Sequence, residues 1–266
     1  MPFHQPDSIR YYTFESLGDA GVIHAVFTRR GGVSPTPWNS LNLGGTVGDD
    51  GSRVTENRRR AFQALGRDIM SMADVWQVHG NEVVCYDDPR PLNTPHPRAD
   101  AILTDKPHIT LLMRFADCVP ILLYDPVRRV AGMAHAGWQG TVKRTAATAV
   151  QAMQTRYGSQ PENILAAIGP SIGAHHYPVG PEVIAQVRLA FGKDALAFLP
   201  GEVGEAPDHA VQFDLWSANR LALEQAGVRR IEISGICTAC HPEDWYSHRG
   251  DVGKTGRFGA MMALKS

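Results

Sequence analysis

Little cysteine, almost no net charge and no long apolar run mark this sequence, and each shortage excludes something. Four cysteines among 266 residues are too few for a disulfide framework and read as reduced thiols. A formal net charge of −1 gives no basic field that would hold a nucleic acid or an anionic membrane. No stretch approaches the roughly 18 consecutive apolar residues of a membrane span. The opening residues MPFHQPDSIRYYTFESLGDAG contain no basic segment followed by an apolar one, so no signal peptide is expected and the cytoplasm is the expected location. Repeats, low-complexity tracts and linkers are missing as well, so residues 1–266 read as a single domain.

What is present is an ordinary globular composition. Hydrophobic residues at 43% and charged residues at 20% suffice for a buried core and argue against disorder. Strand-like runs are expected at 22–28, 75–80, 82–86, 101–104, 109–115, 119–125, 130–137, 164–169, 231–236 and 259–264. Helix-like runs are expected at 52–66, 140–158, 181–192 and 217–227, several opening on a capping residue or proline and ending at glycine. LLYDPVRRVAGMA reads as a hairpin with its turn at Asp125–Arg128. Consecutive strands of this kind argue against a doubly wound parallel sheet and for a mixed sheet, or two packed sheets, flanked by helices.

Chemistry-bearing residues cluster at the ends of the apolar runs. His79 precedes Gly80, Cys118 follows Asp117 at a break between two strands, and His135 precedes Ala136-Gly137. A thiolate and two imidazoles suit Zn²⁺, and three protein ligands leave one tetrahedral position open, as in catalytic zinc sites. Asp117 is placed to orient a ligand or shuttle a proton. The alternative is that a buried cysteine and two strand-end histidines are ordinary core residues. The separations of 39 and 17 residues form no short signature, so only the fold can unite them. CTACH, residues 237–241, matches a haem-attachment pattern but lacks an export signal; as a lone C-x-x-C it is expected to serve packing and a turn. Two loops carry anion-binding types: Arg29, Arg30, Ser34 and Asn42 in 27–50, and His248, Arg249, Lys254 and Arg257 in 246–257. Their guanidinium and backbone N–H groups would suit phosphate, or they are solvated loops.

FTRRGGVS, LNLGGTVGDD with NR downstream, QVHG, ADCVPILLYD, HAGWQG, IGPSIGAHHYPVG, CTAC and YSHRG with TGR occur in that order. Over residues 23–264 the set resembles the bacterial purine nucleoside phosphorylase family formerly labelled polyphenol oxidase or laccase-domain proteins. The resemblance implies a four-layer α/β/β/α fold with mixed sheets, related to a cytotoxic-necrotizing-factor-like Cys-His hydrolase. It implies a zinc held by His79, Cys118 and His135, with these and Asp117 as catalytic residues. Substrate contacts are expected from Arg29, Asn42, Gln77, Arg249 and Arg257. The implied activities are phosphorolysis of adenosine, inosine and methylthioadenosine, and hydrolytic deamination of adenosine. The implied partners are therefore purine nucleosides and phosphate. The sequence departs from the family pattern at Gln139, where an Arg usually follows HAGW, and at Gly250, where a second Arg usually follows SHR.

Two other chemistries compete. A multicopper site of the laccase class needs His-x-His pairs, and the eleven histidines form none; a single copper in place of zinc, with weak phenol oxidation, is the remaining oxidase reading. A metal-free hydrolase would use Cys118 as nucleophile and His135 as base.

Overall fold

A computed structural model describes residues 2–91, 93–201 and 210–265. Twelve strands among the described residues form two six-stranded mixed sheets. The first sheet contains β1 (Phe3–His4), β2 (Tyr11–Tyr12), β3 (Ile23–Phe27), β4 (Met72–Asp74), β7 (Thr110–Phe115) and β12 (Phe258–Ala263), in the order β1-β2-β3-β12-β7-β4. The second contains β5 (Val83–Cys85), β6 (Ala101–Thr104), β8 (Val119–Asp125), β9 (Val130–Ala136), β10 (Leu165–Ile168) and β11 (Arg230–Ile233), in the order β11-β10-β8-β9-β6-β5. Six α-helices accompany them among the described residues: α1 (Glu15–Asp19), α2 (Gly51–Ala64), α3 (Trp138–Val142), α4 (Thr145–Tyr157), α5 (Pro181–Phe191) and α6 (Leu215–Gln225).

The side-chain period of two explains the layering. On β7, Leu111, Met113 and Phe115 face the second sheet, while Leu112 faces outward with Met261 and Phe27 onto Ala61 and Phe62 of α2. On β8, Leu122 and Tyr124 face the first sheet, while Val119, Ile121 and Leu123 pack under α4, α5 and α6 through Ala146, Val150, Met153, Val187 and Ala218. Both sheets are thus buried on two faces, giving the expected four layers α/β/β/α. The hairpin lies as read, with Asp125 Oδ1 accepting from Val127 N and Arg128 N at 2.9 and 3.1 Å to close the turn. No helix among the described residues is long and apolar enough to cross a membrane.

Two expectations fail for local reasons. Residues 75–80 form no strand, because the amides of Val78, His79 and Gly80 donate to the Asp100 carboxylate rather than to a strand partner. The helix expected over 140–158 is split, because Arg144 takes a left-handed φ of 58° between α3 and α4. Its guanidinium is held by Ala190 O and lies over the Phe191 ring.

Candidate active site and metal centre

Two chain crossings and one strand end meet at the same end of the sandwich. The β4–β5 connection, carrying His79, passes from the first sheet to the second, and so does the β7–β8 connection, carrying Ala116, Asp117 and Cys118. His135 stands opposite Pro120 near the end of β9. It shares the parity of Ala131 and Met133, so it faces between the sheets, with its ring 5.5 Å from that of Phe115. Ligand atoms of His79, Cys118 and His135 all lie within 4.8 Å of one another. Cys118 Sγ is 3.9 Å from His79 Nε2, and the two imidazole centroids are 5.0 Å apart. Gly137 makes room for the sulfur, because a Cβ there would lie 2.7 Å from Cys118 Sγ.

Asp100, which no sequence motif marks out, organises this group. It is fully buried. It accepts from Val78 N, His79 N and Gly80 N at 3.0, 3.0 and 2.7 Å, and from His135 Nδ1 at 2.8 Å. The backbone bonds hold His79 at a left-handed φ of 58°. The fourth fixes the His135 tautomer and leaves Nε2 free to act. Burial pushes the Asp100 carboxyl up, but His135 and the amides outweigh it and hold it below the usual range. Burial likewise opposes charge on Cys118 and His135. The pair nonetheless polarises, the thiol brought down to about 6 by both imidazoles and His135 pushed up to about 9 by Cys118 and Asp100. Thiolate and imidazole donors with an open fourth side fit zinc.

The trio lines a cavity of about 670 Å³, within the range of small-molecule sites, which run from about 300 to 1,000 Å³. Four arginines, Arg58, Arg114, Arg249 and Arg257, face it beside the Gly44–Thr46 loop, with Trp76, Trp138 and Tyr177 as aromatic walls. Arg114 is matched by buried Asp74, which also holds Arg90 and His96. Among the described residues Arg58 bonds only the Leu43 carbonyl, through Nε and Nη2; burial first, then Arg114, lowers its guanidinium to about 10. Arg257 is lowered by burial too, and Arg249 lies over the Tyr177 ring. Arg58 and Arg257, half-buried and without a carboxylate partner among the described residues, favour a bound anion at this wall.

Of the residues expected from sequence, Gln77, Asp117, Cys118, His79, His135, Arg249 and Arg257 line this cavity. Gln77 also pairs with both backbone groups of Arg114 and so extends β4. Asp117 accepts from Thr238 Oγ1 and Arg249 N at 2.7 Å each, which ties two loops to the β7–β8 crossing. Arg29 and Asn42 are not brought to the wall. Arg29 donates to Asn39 O and Pro242 O and stacks on Tyr246. Asn42 is buried and bonds Gly44, Asp49 and Arg257 N, supporting the Gly44–Thr46 loop from behind. Gln139 lies in a neighbouring groove with Lys143 and Glu182, away from the trio.

The family model described as multi-copper polyphenol oxidoreductase laccase matches residues 23–265. The chain belongs to this laccase-domain family. A relative from Deinococcus radiodurans named purine nucleoside phosphorylase is 41% identical over 91% of this chain and 89% of its own. The Bacillus subtilis protein named purine nucleoside phosphorylase YlmD is 38% identical over 92% and 89%. Among solved structures, YlmD from Geobacillus stearothermophilus superposes with a TM-score of 0.87 at 34% identity, covering 100% of this chain and 99% of that one. The hypothetical protein YfiH from Bacillus licheniformis gives 0.90 at 34% identity over 99% of both chains. The laccase-domain fold is therefore shared along essentially the whole length.

Proposed function

We propose that this laccase-domain protein is a purine nucleoside phosphorylase acting on adenosine, inosine and methylthioadenosine. The observation that carries the reading is one cavity uniting the His79, Cys118, His135 trio with three arginines that lack carboxylate partners among the described residues. The names of its relatives support the reaction class. In phosphorolysis a phosphate oxygen bonds to ribose C1′ as the bond to purine N9 breaks. The products are ribose 1-phosphate and a purine that must take up a proton. Arg58, Arg249 and Arg257 bind and orient the phosphate, where charge-assisted bonds are strongest. Trp76, Tyr177 and Trp138 offer faces for the base and exclude water. In the metal-free readings His135, its Nδ1 bound to Asp100, presents Nε2 for holding or passing a proton; in the zinc reading that same Nε2 would be the ligand atom. Asp117 positions Arg249 through the backbone N–H of that residue.

His79, Cys118 and His135 are the residues that would hold zinc, which when bound supplies Lewis-acid polarisation and the activation of water needed to deaminate adenosine. Copper in the same ligands, with phenol oxidation, is the reading that the family description suggests. The polarised Cys118–His135 pair favours a further reading, a metal-free thiol hydrolase. Incubation with adenosine and phosphate tests the proposal. The expected products are adenine and ribose 1-phosphate from wild type and little from Cys118→Ala. Equal release from both proteins refutes the mechanism. Metal analysis of Cys240→Ser protein purified without added metal, in which the cavity alone is read, separates the zinc, copper and metal-free readings.

A further inference from the structure

The C-x-x-C of residues 237–240, expected to serve packing and a turn, is joined in space by His175 and His176 from the loop after β10. One ligand atom from each of His175, His176, Cys237 and Cys240 lies within 4.8 Å of the others. Cys240 Sγ is 3.1 Å from His175 Nε2 and 3.5 Å from His176 Nδ1, and Cys237 Sγ is 3.6 Å from His176 Nδ1. Zinc–sulfur and zinc–nitrogen bonds of about 2.3 and 2.0 Å at tetrahedral angles set sulfur and nitrogen about 3.5 Å apart. The observed separations match that spacing. From this geometry we infer that the four side chains form a second, closed Cys₂His₂ zinc site, separate from the cavity.

The surroundings are those of a ligand set. Gly173 N donates to Cys237 Sγ at 3.2 Å, the kind of N–H···S bond that steadies a ligating thiolate. A Cβ on Gly173 would meet His175 Cε1 at 2.6 Å, so glycine there leaves room for the His175 ring in this orientation. Cys237 is buried, while His175, His176 and Cys240 are exposed, which gives the ion an entry path. Binding releases the two thiol protons to solvent, and four protein ligands leave no position for a reactant.

The role that follows is structural. Tyr177, next to His176, walls the cavity and carries Arg249 over its ring. Thr238, between the two cysteines, donates to Asp117, and Thr238 N bonds Ser171 O. A cation at the Cys₂His₂ group fastens the loop of residues 173–177 to that of 237–240, and so sets the position of the Arg249 wall. The parent for the test is the His79→Ala, Cys118→Ser double variant, which lacks the cavity ligands. After dialysis against zinc and then metal-free buffer, it is expected to retain one zinc per chain by elemental analysis, and to lose it when Cys240→Ser is added. A parent without zinc, or equal zinc with and without Cys240→Ser, overturns the inference. Cobalt titration of metal-stripped wild type covers the case in which these variants do not fold. Two equivalents with sulfur-to-cobalt charge-transfer absorption are expected, one of them lost in Cys240→Ser; the same stoichiometry in wild type and Cys240→Ser overturns it.

Discussion

Asp100→Asn is the most searching single change. Asp100 Oδ1 accepts from His79 N and His135 Nδ1, and Oδ2 from Val78 N and Gly80 N. An asparagine amide keeps the shape but replaces one oxygen with NH₂. In either orientation two donors lose their acceptor and face another donor. A hydrogen bond to a charged group contributes about 1.5–3 kcal/mol, so two lost bonds cost about 3–6 kcal/mol. In a chain of this length about 1 kcal/mol moves Tm by roughly 2–4 °C, so a fall of about 10 °C is expected. The same change frees the His135 tautomer and the left-handed backbone of His79, and removal of such a ligand-orienting group weakens metal binding about 10- to 100-fold. Thermal unfolding of metal-free protein reads the first effect. Competition with a chromophoric zinc chelator, in the Cys240→Ser background so that the cavity alone is read, gives the second. A variant that matches wild type in both Tm and zinc affinity refutes the assignment of Asp100 as organiser.

Three further outcomes are expected. Gly137→Ala places a methyl group 2.7 Å from Cys118 Sγ, so cavity metal should be lost while circular dichroism stays native; unchanged metal content counts against the ligand assignment. Arg58→Met should raise the KM for phosphate about 10- to 100-fold, the equivalent of one charged hydrogen bond, with a far smaller effect on the KM for nucleoside; equal effects on both would show Arg58 to be a general support. Alkylation of Cys118 in metal-stripped protein should follow its lowered pKa. The thiolate forms as pH rises through about 6, so the rate levels off by about pH 8, where an ordinary thiol of pKa about 8.5 is still climbing.

Acid behaviour follows from the two buried aspartates at the site. Burial pushes the Asp74 carboxyl up, but Arg114, Arg90 and His96 outweigh it and hold it low, as His135 and the amides do for Asp100. A carboxyl depressed in the fold stabilises it above the unfolded value of about 3.9 and loses that contribution as pH falls through the folded value. Asp74→Asn should therefore flatten the acid limb of the stability curve, and by leaving buried Arg90 and half-buried Arg114 unpaired it should cost about 3–5 kcal/mol at neutral pH. Chemical denaturation across the acid range reads both effects. An acid limb as steep as that of wild type refutes the role given to Asp74.

The sheets were legible because their strands alternate or run apolar throughout, as in 109–115 and 119–125. Cys118 and His135 were legible for the same reason: a polar group closing a wholly apolar strand stands out against its neighbours. Asp100 was hidden, since one aspartate ahead of a strand reads as a turn residue, and its four donors come from 78–80 and 135. Arg58 was quoted only within the NR of the ordered motifs and not singled out, since inside NRRR a run of charge on a helix reads as a solvated face. Arg29 shows the limit of composition: it lies in a loop of anion-binding type, and that loop folds its guanidinium onto Asn39 and Pro242. CTAC and AHH are each unspecific, and only the packing of two loops makes them a set.

Because His79 and Cys118 ride on the two connections that step between the sheets, while His135 belongs to the second sheet alone, the trio measures how the layers are aligned. Sliding one sheet over the other by a single side chain would pull the three donors apart, so a bound ion acts as a rivet through the sandwich. A remote repacking at Met113 or Leu122, buried between the layers, would then be felt at the cavity as a change in ion affinity before any change in shape could be seen.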